Sequence, residues 1–124
     1  MVNELMESKV LAFLGDAVYE LFIREFLINK GLCKVNDLQN ECIKYVSAER
    51  QCFFINKMLE EKFLTAEEID IFKKGRNASS HSSRSTDIVT YKKSTGLESL
   101  IGYLYVNSNY KRIEEIMNYI VGVK

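Results

Sequence analysis

The chain is expected to fold as an all-α protein, and three features of its sequence lead there. Apolar residues recur at the three-and-four spacing that keeps one side of a helix inward, and no stretch alternates apolar and polar residues as a half-buried strand does. Proline is absent from all 124 residues, so nothing breaks those periodic runs from within. Helix-start and helix-stop residues fall at their edges.

Helix one is expected from about Glu4 to Asn29. Val10, Leu11, Leu14, Ala17, Val18 and Leu21 make one apolar face, with Phe13, Ile23 and Leu27 round the side. A helix apolar over so much of its circumference belongs at the centre of the domain or of a dimer. Lys30-Gly31 ends it, with Gly31 suited to the left-handed position after a helix. Asn36 or Asp37 can cap a second helix carrying Leu38, Cys42, Ile43 and Val46. Ser47 can cap a third, with Cys52, Phe53, Ile55, Met58 and Leu59. Thr65-Ala66-Glu67-Glu68 has the form of a capping box and opens a short fourth helix through Ile69, Ile71 and Phe72. Lys73 and Lys74 would sit in its last turn and Gly75 would stop it.

Residues 75–93 read as a long loop of small, polar and basic residues, a length usually kept for function or mobility. Helix resumes near Ser94 or Thr95 and runs to Val106, with Leu97, Leu100, Ile101 and Leu104 inward. Asn107-Ser108-Asn109 forms a turn and supplies a cap for a last helix carrying Ile113, Ile116, Met117 and Ile120. No repeat or linker divides the chain, so residues 1–124 are expected to form one domain around a single core.

An apolar fraction of 47% and a charged fraction of 27% are those of an ordinary globular protein. No apolar run reaches the roughly 18 residues of a membrane span. The start, Met1-Val2-Asn3-Glu4-Leu5, lacks the pattern of a secretion signal, so a cytoplasmic protein with no membrane partner is expected. Cys33, Cys42 and Cys52 are odd in number and form no C-x-x-C pair, which fits reduced thiols better than a disulfide framework or a zinc site. The net charge of zero argues against a generically basic nucleic-acid binder. Between Lys73 and Lys93, however, lie six basic residues (Lys73, Lys74, Arg76, Arg84, Lys92, Lys93) and one acidic, Asp87. That segment carries +5 and leaves −5 elsewhere, a distribution that fits a local anionic partner as well as it fits a solvated loop.

Two carboxylates stand out. Asp16 lies in the almost wholly apolar run from Leu11 to Val18, directly after a glycine in what should be mid-helix. Removing a carboxylate from water is costly unless something pairs with it, and glycine there costs about 1 kcal/mol relative to alanine. Gly15 therefore suggests a close approach by another helix or by a substrate. Glu98 sits likewise on an apolar helix near Gly102. Two acidic side chains on two packed helices are the minimum for a hard cation such as Mg2+, and they also fit solvated or lysine-paired helix positions. The lone histidine, His81, has no nucleophile elbow beside it, and no phosphate-binding P-loop pattern occurs.

Leu11-Ala12-Phe13-Leu14-Gly15-Asp16-Ala17-Val18 resembles the signature of the ribonuclease III family, Tyr45-Val46-Ser47-Ala48 its valine-serine segment, and Thr95-Gly96-Leu97-Glu98-Ser99-Leu100 its second acidic motif. The resemblance spans nearly the whole chain. Lys74-Gly75-Arg76-Asn77-Ala78 and the Thr86-Asp87 and Ser94-Thr95 pairs are similar to the Mini-ribonuclease III group, which consists of the catalytic domain alone. The resemblance implies a homodimeric helical bundle that hydrolyses double-stranded RNA with Mg2+ (or Mn2+), typically precursor 23S ribosomal RNA. It makes Asp16 and Glu98 the catalytic and metal-binding residues, and Phe13 a contact in a dimer seam along helix one. Lys73, Lys74, Arg76, Asn77, Arg84, Lys92 and Lys93 would grip RNA. Ala12 and Thr95 stand where the full family pattern has glutamate and aspartate, departures shared by the Mini group. Two other readings stay open: a catalytically silent domain of this fold that binds structured or ribosomal RNA, and a helical interaction protein with no RNA partner.

Overall fold

The computed structural model describes residues 6–79 and 87–123, which form six helices and no strand. Helix α1 spans Ser8–Asn29, α2 Val35–Val46, α3 Ala48–Glu60, α4 Ala66–Ala78, α5 Ile88–Val106 and α6 Tyr110–Gly122. Several capping expectations hold. Ser47 Oγ accepts from Arg50 N, and both halves of the Thr65–Glu68 capping box are made. Asn109 accepts from Arg112 N, and Gly31 takes φ +100° just after α1.

Other boundaries differ, each for a local reason. Helix α1 begins at Ser8, not Glu4, with Glu7 in extended conformation before it. Helix α2 starts at Val35, so Asn36 and Asp37 lie inside its first turn and Lys34 precedes it. Gly75 does not stop α4, which continues to Ala78. A Cβ at Gly75 would lie 2.4 Å from Ser99 Oγ, so this glycine serves the packing of α4 on α5. Helix α5 starts at Ile88, six residues before Ser94, because Asp87 caps it: Thr90 N and Thr90 Oγ1 donate to its two carboxylate oxygens at 2.9 and 3.0 Å. The expected loop of 75–93 is thus mostly helix at both ends, and Lys73, Lys74, Arg76, Asn77, Lys92 and Lys93 are helical residues.

Helix α5 is the centre of the bundle. It packs on α1, α3, α4 and α6, and Ser94, Gly96, Leu97, Ser99, Leu100, Ile101, Gly102 and Leu104 are all buried. Helix α1 lies against it through Leu11, Ala12, Gly15, Val18, Tyr19, Ile23 and Leu27. The apolar face read from the sequence is therefore split: Leu11 and Val18 are buried, whereas Val10 and Leu21 are 44 and 57% exposed and Ala17 faces solvent too; Phe13, round the side, is 84% exposed. Apolar residues on every side leave the rotation of a helix undecided; the glycine decides it here. A Cβ at Gly15 would sit 1.8 Å from the Glu98 carbonyl oxygen, and one at Gly102 would sit 1.9 Å from that of Leu11. The two backbones touch at this crossing, which confirms a helix as the reason for Gly15. Ser99 Oγ donates to the Ser8 carbonyl at 2.9 Å and Tyr19 OH to the Tyr45 carbonyl at 2.6 Å, fixing α1 to α5 and to α2.

Candidate active site

The α1–α5 crossing sets two carboxylates face to face. Asp16 follows the contact glycine on α1, and Glu98 supplies the very carbonyl that Gly15 touches on α5. Asp16 is exposed and Glu98 half-buried, and their side chains are hydrogen-bonded. Burial, then the charge and hydrogen bond of Asp16, push the Glu98 carboxyl up to about 8, while a hydrogen bond from Gln51 pulls it the other way. Gln51 Nε2 donates to Glu98 Oε2 at 3.5 Å.

Glu68 is the instructive contrast. It is more buried than Glu98, and burial alone would raise it, yet Arg112 and the Thr65 amide hold its carboxyl below the ordinary value. Arg112 donates to it twice, at 2.8 and 2.9 Å, and to the Phe63 carbonyl. That carboxylate is structurally satisfied. Among the described residues, the groups that most perturb Glu98 are acids and a neutral amide, an arrangement that a cation would complete.

Asp16 and Glu98 open onto one cleft of about 280 Å³, lined also by Lys9, Ala12, Phe13, Ser79, Tyr91 and Thr95. Ser79 Oγ donates to Thr95 Oγ1 at 3.3 Å, and Thr95 Oγ1 to the Tyr91 carbonyl at 3.1 Å. Ala12 and Thr95, the two uncharged departures from the family pattern, thus lie in the same cleft as the two carboxylates. Among the described residues no group of three or more acidic, histidine or cysteine side chains forms a closed cage. Two carboxylates in an open polar cleft suit Mg2+, which keeps several of its waters, better than a metal that wants a full protein shell.

The RNA-binding candidates are distributed unevenly. Lys73, Lys74 and Asn77 are exposed on α4, and Arg76 lies over the Phe72 ring with its Nε donating to Asn77 Oδ1 at 3.2 Å. Lys92 lies between two cleft-lining residues of α5, Tyr91 and Thr95. Lys93 instead donates to Asn56 Oδ1 of α3 at 2.9 Å. Arg84 and His81 lie outside the described residues. Phe13 is at the cleft's edge and open to solvent. Sequence reasoning missed Gln51, Ser79, Tyr91 and Lys9. Gln51 alone left a signal, since it shares the inward side of α3 with Phe54, Ile55 and Met58.

The raised Glu98 carboxyl makes stability depend on pH. The folded, metal-free protein holds this proton up to about pH 8, whereas the unfolded chain releases it near the ordinary 4.5. The folded state therefore binds more proton across that window and loses stability as pH rises through it. Melting in EDTA, run beside Glu98→Gln from about pH 5 to about pH 9, reads this: the parent is expected to fall progressively behind the variant, and a constant gap would contradict it.

Comparison with known proteins places this geometry in context. The family model of the ribonuclease III domain matches residues 9–109. The chain is 46% identical over 118 residues to "Mini-ribonuclease 3" of Streptococcus pneumoniae, covering 94% of this chain and 92% of that protein. It is 44% identical to "Mini-ribonuclease 3" of Clostridium tetani, covering 95% of this chain and 78% of that protein. A crystal structure of a protein from Fusobacterium nucleatum superposes with a TM-score of 0.84 at 30% identity, over 95% of this chain and 93% of that one.

Proposed function

Because the chain belongs to the ribonuclease III family, among its Mini-ribonuclease 3 members, we propose that it is a metal-dependent endoribonuclease cutting double-stranded RNA. The observation that carries this reading is the meeting of Asp16 and Glu98 in one solvent-open cleft, where the described residues that most perturb Glu98 are the carboxylates Asp16 and Glu20 and the Gln51 amide. Asp16 and Glu98 would together hold Mg2+, with Mn2+ as the alternative. A divalent cation held there would supply an acidified water for attack on phosphorus and would offset charge on the phosphoryl oxygens.

The chain's own residues divide the remaining work. Asp16 presents its carboxylate from α1, and Glu98 presents the second from the buried α5. Ala12 and Thr95 bring no charge, so more of the cation's shell is left to water and to phosphate oxygens of the substrate. Lys9, the one basic residue among the described residues lining the cleft, offers an ammonium to a phosphate. A-form RNA is read through its phosphates and 2′-hydroxyls, so Lys73, Lys74, Arg76, Asn77, Arg84, Lys92 and Lys93 form the proposed grip. Arg76→Ala is expected to weaken duplex binding without loss of helix content and to lower the log–log salt slope by about one. Dissociation constants measured at several salt concentrations check it; parental affinity at each would exclude Arg76 from the contact.

The outward face of α1 supports the proposal of a homodimer. Ala17 and Leu21 share a groove there with Tyr105, Tyr110 and the half-buried Leu14, and Phe13 stands exposed on the same helix, apolar surface that a second copy would cover. The proposed substrate is precursor 23S ribosomal RNA, matured at its ends in the cytoplasm. Absence of carboxylates at Ala12 and Thr95 favours one rival, a silent domain that binds structured RNA without cutting it. Purified protein incubated with an RNA duplex decides between them: Mg2+-dependent cleavage supports the enzyme, and RNA bound but left intact supports the silent domain.

A further inference from the structure

Gln51 is 1% exposed on the inward side of α3, among Phe54, Ile55 and Met58. An aliphatic side chain would pack there at lower cost, because a buried amide must be hydrogen-bonded to break even. What the amide reaches is Glu98: Nε2 donates to Oε2 at 3.5 Å, between residues 47 positions apart. Once ionised, Glu98 no longer shares a proton with Asp16 and meets it as a like charge, and a glutamate side chain has rotamers that would swing away, so a neutral donor is needed to hold it. A lysine or arginine in place of Gln51 would neutralise the carboxylate and compete with a cation; a neutral donor orients it and leaves its charge available.

We infer that Gln51 is a positioning residue for the candidate metal centre, its buried amide holding the Glu98 carboxylate in the cleft beside Asp16. The inference rests on the reading of Asp16 and Glu98 as the cation's ligands. Gln51 does not touch substrate and takes no part in proton transfer. Its effect is on how ready the site is to accept the ion.

Electron paramagnetic resonance of free Mn2+, titrated with the RNA-free protein, tests this apart from activity. Gln51→Met keeps the length and bulk of the side chain but removes the donor. It is expected to weaken Mn2+ binding about 10-fold or more, with a parallel fall in kcat on an RNA duplex, while duplex affinity in EDTA and circular dichroism stay parental. Should Gln51→Met fail to fold, Gln51→Asn withdraws the amide by one methylene and is expected to weaken Mn2+ binding in the same way. A folded variant that binds Mn2+ as the parent does would overturn the inference alone. If the parent shows no Mn2+ binding that Asp16→Asn removes, the reading of the site falls and this inference with it.

Discussion

Glu98→Gln is expected to abolish RNA cleavage and, in the same protein, to raise the melting temperature measured in EDTA at neutral to alkaline pH. The two effects have one origin. Glu98 is held half-buried beside Asp16, and burial and like charge both oppose its ionised form. A neutral amide of the same shape removes that opposition and can still accept from Gln51. The proposed cation site would lose one of its two carboxylates, and with so few protein ligands a drop in rate of at least about 10³-fold is expected, on the order of 4 kcal/mol. Asp16→Asn is expected to act in the same directions, with the smaller thermal gain because Asp16 is exposed. A cleavage rate within tenfold of the parent for either variant would remove that residue from the proposed catalytic pair. A fall in melting temperature for Glu98→Gln would mean that the carboxylate serves the fold, as Glu68 does.

Gly15→Ala carries the largest expected effect on stability. The new Cβ would lie 1.8 Å from the Glu98 carbonyl oxygen and 2.8 Å from both its carbonyl carbon and Gly102 N. All three are backbone atoms of the most buried helix, so no flexible side chain can make way. Overpacking of a core costs about 1–3 kcal/mol when side chains can adjust, and here more than about 3 kcal/mol is expected. That is a large part of the roughly 5–15 kcal/mol that holds a small domain folded. Any relief must come from separating α1 and α5, which also pulls Asp16 from Glu98, so residual folded protein should be poorly active. Gly102→Ala should behave alike through its 1.9 Å contact with the Leu11 carbonyl. Gly122→Ala is the control, since a Cβ there meets nothing within 4 Å. Thermal melting of the three variants reads the difference, and a Gly15→Ala protein as stable as Gly122→Ala would contradict the close crossing.

Much of this architecture was legible from local chemistry. The all-α class follows from periodicity and the lack of proline. The Ser47, Thr65 and Asn109 caps and the left-handed Gly31 follow from side chains or backbone freedom that act within a few residues. Asp16 and Glu98 could be paired because each breaks an apolar pattern near a glycine, and their helices turn out to cross at those glycines. Where the reading failed, the deciding contact was distant in sequence in most cases, and in one a local signal was passed over. Gly75 looked like a helix stop because a glycine's local meaning is ambiguous; its partner, Ser99, lies on another helix. The start of α5 was placed too late because Asp87 was counted as a loop charge, although its spacing to Thr90 is that of a cap. The inward side of α1 could not be chosen from a helix apolar all round. Gln51 likewise depends on a distant partner: a single amide among apolar residues acquires its meaning once Glu98, 47 positions away, is seen beside it.

The central claim is that Asp16 and Glu98, brought together by the glycine crossing of α1 and α5, hold one divalent cation between them. Anomalous scattering from crystals of the protein soaked in Mn2+ tests it most directly. The account predicts a manganese peak in direct coordination with both carboxylates, absent from Asp16→Asn crystals treated alike. A manganese peak that touches neither carboxylate, in a protein that still cleaves RNA duplexes, would contradict it.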